Sequence, residues 1–186
     1  MTHRNARSSD QRRALIATLS RKSARSSEEA WVTMVAYLKC VVAGPKCTGK
    51  SLISNFIAGN GDGQLTSDRY DPTAGVRILE FEVNLRGPSE TVAIELWDAS
   101  GDHLYEGCWR GIMADSDGVI LVYNPDAPAQ DQQIADWFEF FVKKNGLKEE
   151  QCMIFAHRGN NGTSTERFRP RKSSLQALQY VAVRAA

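Results

Sequence analysis

The sequence predicts an α/β fold, a mostly parallel six-stranded sheet with helices on both faces. Three observations predict it. Short, continuously apolar runs of strand length stand at 118–123 and 151–156, as interior parallel strands do. Between them Ile134, Trp137, Phe138 and Phe141 fall at i, i+3, i+4 and i+7 and define an amphipathic helix. A glycine-punctuated segment joins an early strand to an early helix. Strand and helix in alternation wind on both sides of one sheet.

The elements follow in chain order. Residues 35–43 form a mostly apolar run closed by Gly44-Pro45, a buried strand. Residues 51–58 place Leu52, Ile53, Phe56 and Ile57 on one helical face. Residues 76–85 and 91–97 alternate apolar and polar around Arg86-Gly87-Pro88, which predicts an antiparallel hairpin. The runs 118–123 and 151–156 are the fourth and fifth strands, and 177–183 is the last, after a polar, Arg-rich loop from 159 to 174. No internal repeat is present.

Composition sets the outer limits. The chain has 186 residues, 42% hydrophobic and 24% charged, enough for one buried core. With 14 Gly and 6 Pro it is neither collagen-like nor fully disordered. No apolar run reaches the roughly 18–20 residues of a membrane-spanning helix. Cys40, Cys47, Cys108 and Cys152 are scattered and read as reduced thiols of an intracellular protein. His3, His103 and His157 lack metal-ligand spacing. The net charge of +1 hides an asymmetry: residues 1–27 carry seven basic side chains against one acid, while the rest carries 16 against 21. Residues 1–33 therefore read as a basic, Arg/Ser-rich, disordered extension, a composition that transit peptides share. Met34 is an alternative natural start.

Gly44-Pro45-Lys46-Cys47-Thr48-Gly49-Lys50-Ser51 matches GxxxxGK[ST] in full, with a strand before it and a helix after. Backbone N–H groups wrap a polyphosphate only where no Cβ blocks the approach, which explains the glycines. The helix offers its positive N-terminus to the same anion. Lys50 reaches the outer phosphates, and the Ser51 hydroxyl is a Mg²⁺ ligand. The chain thus reads as a P-loop nucleotide-binding protein. Downstream, Thr73 lies in Asp71-Pro72-Thr73-Ala74-Gly75-Val76, 22 residues after Ser51, directly before the second strand. Glu95-Leu96-Trp97-Asp98-Ala99-Ser100-Gly101 ends the third strand on an acid. Asp98 is placed to hold Mg²⁺ through water and the Gly101 amide to meet a terminal phosphate. Trp109-Arg110-Gly111-Ile112-Met113 precedes the fourth strand.

These segments resemble the Ras superfamily, and Rab proteins in particular: Pro-Thr-x-Gly-Val looks like switch I, and Trp-Asp-x-x-Gly like switch II. A narrower resemblance, to the Rab-like small GTPase subunit of intraflagellar transport complex B (the Rab-like protein five family), rests on residues 72–81, 95–98, 108–109 and 151–157. It covers about 34–183 and makes 34–186 a Ras-like nucleotide-binding domain. It implies GTP or GDP with Mg²⁺, and nucleotide contacts from the whole loop 44–51, Leu52, Thr73, Asp98 and Gly101, with Ser51, Thr73 and Asp98 around the metal. It also implies coiled-coil subunits of complex B as partners, no nucleic acid, and a place in the cytoplasm and at the cilium or flagellum and its base.

The sequence departs from an active GTPase of this type at three points. Asp102 stands where glutamine is usual, and a carboxylate has no donor with which to orient water, so hydrolysis is expected to be slow or absent. Where the family reads guanine with Asn-Lys-x-Asp, this chain has His157 at the asparagine position and Asn160 near the aspartate position. Residues 182–185 are a candidate for the last base-contacting turn. The chain ends directly after the last strand, so the family's C-terminal helix is expected to be missing, and no cysteine follows Cys152 to carry a lipid. The expected function is a nucleotide-dependent interaction switch, with Trp97, Leu104, Tyr105, Trp109, Ile112 and Met113 as candidate partner patch and about half of them needed for packing. The alternative is a hydrolysing Rab-type GTPase of membrane traffic. A nucleotide-kinase-like phosphotransferase would leave Thr73 and residues 98–101 unexplained.

Overall fold

The computed structural model describes residues 36–60, 71–84, 91–158 and 179–184. The 1–33 extension, the turn at 86–88, the Arg-rich segment, Asn160 and residues 185–186 lie outside them. The elements are β1 (Ala36–Ala43), α1 (Lys50–Ala58), β2 (Val76–Asn84), β3 (Thr91–Ala99), a 3₁₀ segment (His103–Cys108) running into α2 (Trp109–Met113), β4 (Gly118–Tyr123), α3 (Pro128–Phe138) prolonged by a π turn (Glu139–Lys143), a 3₁₀ turn (Glu149–Gln151), β5 (Cys152–Arg158) and β6 (Gln179–Arg184). The sheet order is β2-β3-β1-β4-β5-β6. Only β2 runs antiparallel to its neighbour. The predicted six strands and their direction are as observed.

Neighbouring side chains of β1 go to opposite faces, as a two-residue period requires. Val41 and Ala43 join Trp109, Ile112, Met113, Ile134, Trp137, Phe138 and Phe141 under α2 and α3. Cys40 and Val42 join Ile53 and Ile57 under α1. Leu52 and Phe56, expected on the same helical face, are only half-buried. Helices therefore cover both faces, and both cores meet along β1. β1 pairs with β3 on one side and β4 on the other, so the connection after β1 turns to the β2–β3 side while the one after β3 crosses to β4. That divergence opens a crevice where open α/β sheets bind ligands, and residues 44–49 line it.

Three differences from the sequence reading have simple causes. β3 runs two residues past Trp97 because Val76 and Arg77 of the hairpin partner pair with Ala99 and Asp98. β5 runs on through His157 and Arg158 because Val183 and Arg184 of β6 pair with them. For the same reason residues 182–184 are strand backbone rather than a base-contacting turn. All four cysteines are free, Cys40 and Cys152 buried, Cys47 and Cys108 exposed. Among the described residues no helix is long and apolar enough to cross a membrane.

Candidate functional site: a phosphate cradle between β1 and α1

The loop is shaped by its backbone. Gly49, the residue before α1, is left-handed at φ +82°, and a Cβ there would collide with the His157 ring. Cys47 is left-handed too, at φ +59°. Alternation of right- and left-handed residues turns successive N–H groups to one side, the geometry of an anion-binding concavity. Within it the Thr48 hydroxyl donates to the Pro45 carbonyl at 3.1 Å and Lys50 Nζ to the same oxygen at 2.7 Å. Lys50 is 7% exposed, and burial pulls its pKa down to about 8 against the opposing field of Asp98. A buried ammonium satisfied by one loop carbonyl is held ready for an anion.

Switch-like segments meet the loop from two sides. Thr73 Oγ1 lies 2.8 Å from Ser51 Oγ. Gly101 packs so closely that an added Cβ would fall 2.6–2.7 Å from Gly44 O, Pro45 C and Lys46 N. Behind Ser51, the Asp98 side chain is fully buried and pairs with Arg77 at 3.1 Å, while Arg77 also donates to Ser51 O at 3.3 Å. Asp98 Oδ1 is buried with no hydrogen-bond partner. Burial raises the Asp98 pKa, opposed by the Ser51 hydroxyl, Arg77 and Lys50. Two hydroxyls and an orphaned carboxylate oxygen form the hard oxygen set that Mg²⁺ prefers, so the predicted metal residues Ser51, Thr73 and Asp98 fit that ion. Leu52 follows in the first turn of α1.

His157 is where the fifth strand meets the loop. Its Nδ1 hydrogen-bonds the Thr48 carbonyl at 2.8 Å. The carbonyl can only accept, so Nδ1 carries the proton. Burial lowers the His157 pKa, with the Thr48 bond opposing. The residue read as base-contacting thus also tethers β5 to the loop. Arg158 pairs with Asp126 at 2.7 Å, joining the β4 and β5 ends.

Sequence reasoning missed two contacts at the rim. Lys46 Nζ lies 2.7 Å from Asp102 Oδ2, and the Lys46 carbonyl accepts from Gln130 Nε2 at 3.2 Å. Lys46 was read as one of the nucleotide-contacting loop positions 44–51, with no partner given to its side chain. Asp102 Oδ1 also caps the 3₁₀ segment through Leu104 N at 3.0 Å. The Lys46 hydrogen bond, then that cap, holds its carboxyl below the usual range. Of the candidate partner patch, Trp109, Ile112 and Met113 are buried, Trp97 and Tyr105 half-buried, and Leu104 is 79% exposed.

Sheet order, cradle and the two converging segments define a Ras-like small GTPase domain. The Roc family model (Ras of Complex, Roc, domain of DAPkinase) matches residues 39–160. Intraflagellar transport protein 22 homolog of Danio rerio is 40% identical over 134 residues, 70% of this chain and 71% of that protein. Intraflagellar transport protein 22 of Chlamydomonas reinhardtii is 34% identical over 119 residues, 64% of this chain and 60% of that protein. The chain belongs to the intraflagellar transport protein 22 family. Among solved structures, the GTP-bound T. brucei IFT22/74/81 crystal structure superposes with a TM-score of 0.62 at 26% identity, covering 80% of this chain and 83% of that one. The GDP-bound T. brucei IFT22 structure gives 0.57 at the same identity and coverage.

Proposed function

We propose that the chain is a GTP-binding, Rab-like subunit of intraflagellar transport complex B, a nucleotide-dependent interaction switch that hydrolyses GTP slowly or not at all. The observation that carries this reading is the convergence of Thr73 and Gly101 on one phosphate cradle. Backbone amides of 44–51 wrap the phosphates, Lys50 neutralises them, and Ser51, Thr73 and Asp98 hold Mg²⁺. A bound magnesium nucleotide would supply the charge that holds Thr73 and Gly101 against the cradle. Both segments adjoin surface, so their order is legible to a partner. The T. brucei relative is GTP-bound together with IFT74 and IFT81. The corresponding coiled-coil subunits are the partners proposed here, in the cytoplasm and at the cilium or flagellum and its base. Nucleotide extracted from the purified protein should be guanine nucleotide by chromatography, and affinity for the partner pair should be higher with GTP than with GDP. Equal affinity in both states would remove the switch.

Slow hydrolysis follows from Asp102. Both of its carboxylate oxygens accept hydrogen bonds, from Lys46 and from Leu104 N, and it has no donor to align water. Single-turnover GTP hydrolysis should run below the roughly 10⁻⁴ s⁻¹ scale of unassisted Ras, which keeps the glutamine. Asp102→Gln should speed it several-fold. An equal rate in the variant would show that Asp102 does not set the limit.

A further inference from the structure

We infer that Lys46 is the residue by which this site distinguishes a nucleoside triphosphate from a diphosphate, acting as the counter-charge that lets Asp102 face the terminal phosphate. The inference rests on the nucleotide reading above and deepens it. Gly101 is pressed against the loop backbone at Gly44, Pro45 and Lys46, so its successor Asp102 stands at the mouth of the cradle. A lone carboxylate there would repel the last phosphoryl group of a triphosphate. A diphosphate ends one phosphoryl group short and would meet that charge more weakly.

The geometry answers this conflict. Lys46 Nζ reaches Asp102 Oδ2 at 2.7 Å, and the pair sits at the rim, with the two side chains 55% and 35% exposed. Both are rooted independently of any ligand. The Lys46 carbonyl accepts from Gln130 Nε2, Asp102 N donates to Ser100 Oγ at 3.2 Å, and Asp102 Oδ1 caps the 3₁₀ segment. The lysine stem has the freedom to swing from the carboxylate onto an anion while staying between the two charges. Lys50 cannot do this, because it is buried on the inner side and bonded to Pro45 O. Lys50 therefore serves any polyphosphate, and Lys46 serves its length. Lys46 is a specificity-determining residue rather than part of the chemistry.

The test measures affinity of the full chain for a non-hydrolysable GTP analogue and for GDP, both with Mg²⁺, by calorimetry. Lys46→Ala should lose roughly tenfold for the triphosphate, as a charge-assisted bond does when removed. For GDP it should lose less than about threefold, as for an exposed pair. Lys46→Arg should restore the triphosphate affinity. Lys46→Ala combined with Asp102→Asn should recover most of it too, since the repulsion is gone. A purely structural rim pair would move both ligands equally and would not be rescued by the second change. An unchanged triphosphate-to-diphosphate ratio in Lys46→Ala, with wild type binding both, overturns this inference alone. Wild type binding neither overturns the nucleotide reading and this inference with it. Thermal unfolding of each variant confirms folding, and Lys46→Gln gives a second neutral side chain for the same comparison.

Discussion

Lys50→Ala should weaken nucleotide binding by at least about a hundredfold, more than any other single change in the loop, because among the described residues it deletes the buried cation set within the phosphate cradle. The nucleotide-free fold should tolerate the change. Lys50 is held by a single carbonyl, Pro45 O at 2.7 Å, and its burial already disfavours the charged form. That burial gives a second, pH-dependent signature. The folded-state pKa is lowered from 10.5 to about 8. Below pH 8 the ammonium is protonated in both folded and unfolded chains, and the cost of burying it is fully present. Between about pH 8 and 10.5 the folded chain gives up its proton first, so the unfolded state binds more protons and stability rises with pH. Nucleotide affinity must move the other way, falling by up to tenfold per pH unit above about 8, because the anion needs the charged amine. Calorimetric titration at pH 7 and pH 9.5, beside thermal unfolding of the nucleotide-free protein, reads both signs. In Lys50→Ala both trends should vanish. Persistence of the affinity trend would assign it to another group.

Much of this site was written in the sequence for local reasons. The loop 44–51 is contiguous, its glycines sit where the backbone needs them, and the flanking strand and helix carry their own periodicity. The fourth strand, Gly118–Tyr123, was read to the residue because apolar side chains fill it from end to end and a breaker adjoins it. What was hidden is what joins distant segments. His157 and Thr48 are 109 positions apart, and no local pattern announces that a strand-end imidazole will bond a loop carbonyl. The motif placed His157 at a base-reading position and left out its tethering role. Likewise Arg77 reads as one more polar residue of an alternating strand, and only the antiparallel register sets it beside Asp98. Strand ends were misjudged at β3 and β5 because pairing with a neighbour, and not the strand's own composition, decides where a ladder stops. Asp102 was legible as a departure from glutamine, but its partner was not, since Lys46 lies on the far side of the crevice.

Trp109→Ala should destabilise the fold through the switch-side core by about 3–5 kcal/mol, the range for removing a buried large aromatic. Trp109 is 4% exposed and its ring centroid lies 4.6 Å from that of Trp137 and 5.3 Å from those of Phe140, Phe141 and His103. It is the first residue of the five-residue α2, a helix too short to persist without such an anchor. The segment before it, His103–Cys108, buries none of its residues and is capped only by Asp102. Trp109 is therefore what fixes one end of that segment, and the Asp102 cap, reinforced by Lys46, fixes the other. Thermal unfolding should show the midpoint falling by roughly 10 °C for a domain of this size. Trp109→Phe should cost far less, because it keeps a ring in the cluster and removes an indole N–H that is buried without a hydrogen-bond partner. The same variants test how nucleotide sensing reaches the surface. If the anchored segment transmits the state of the cradle, Trp109→Ala should retain GDP binding at low temperature yet lose the difference in partner affinity between GTP and GDP. If it keeps that difference, the signal leaves the site through Thr73 and β2 instead.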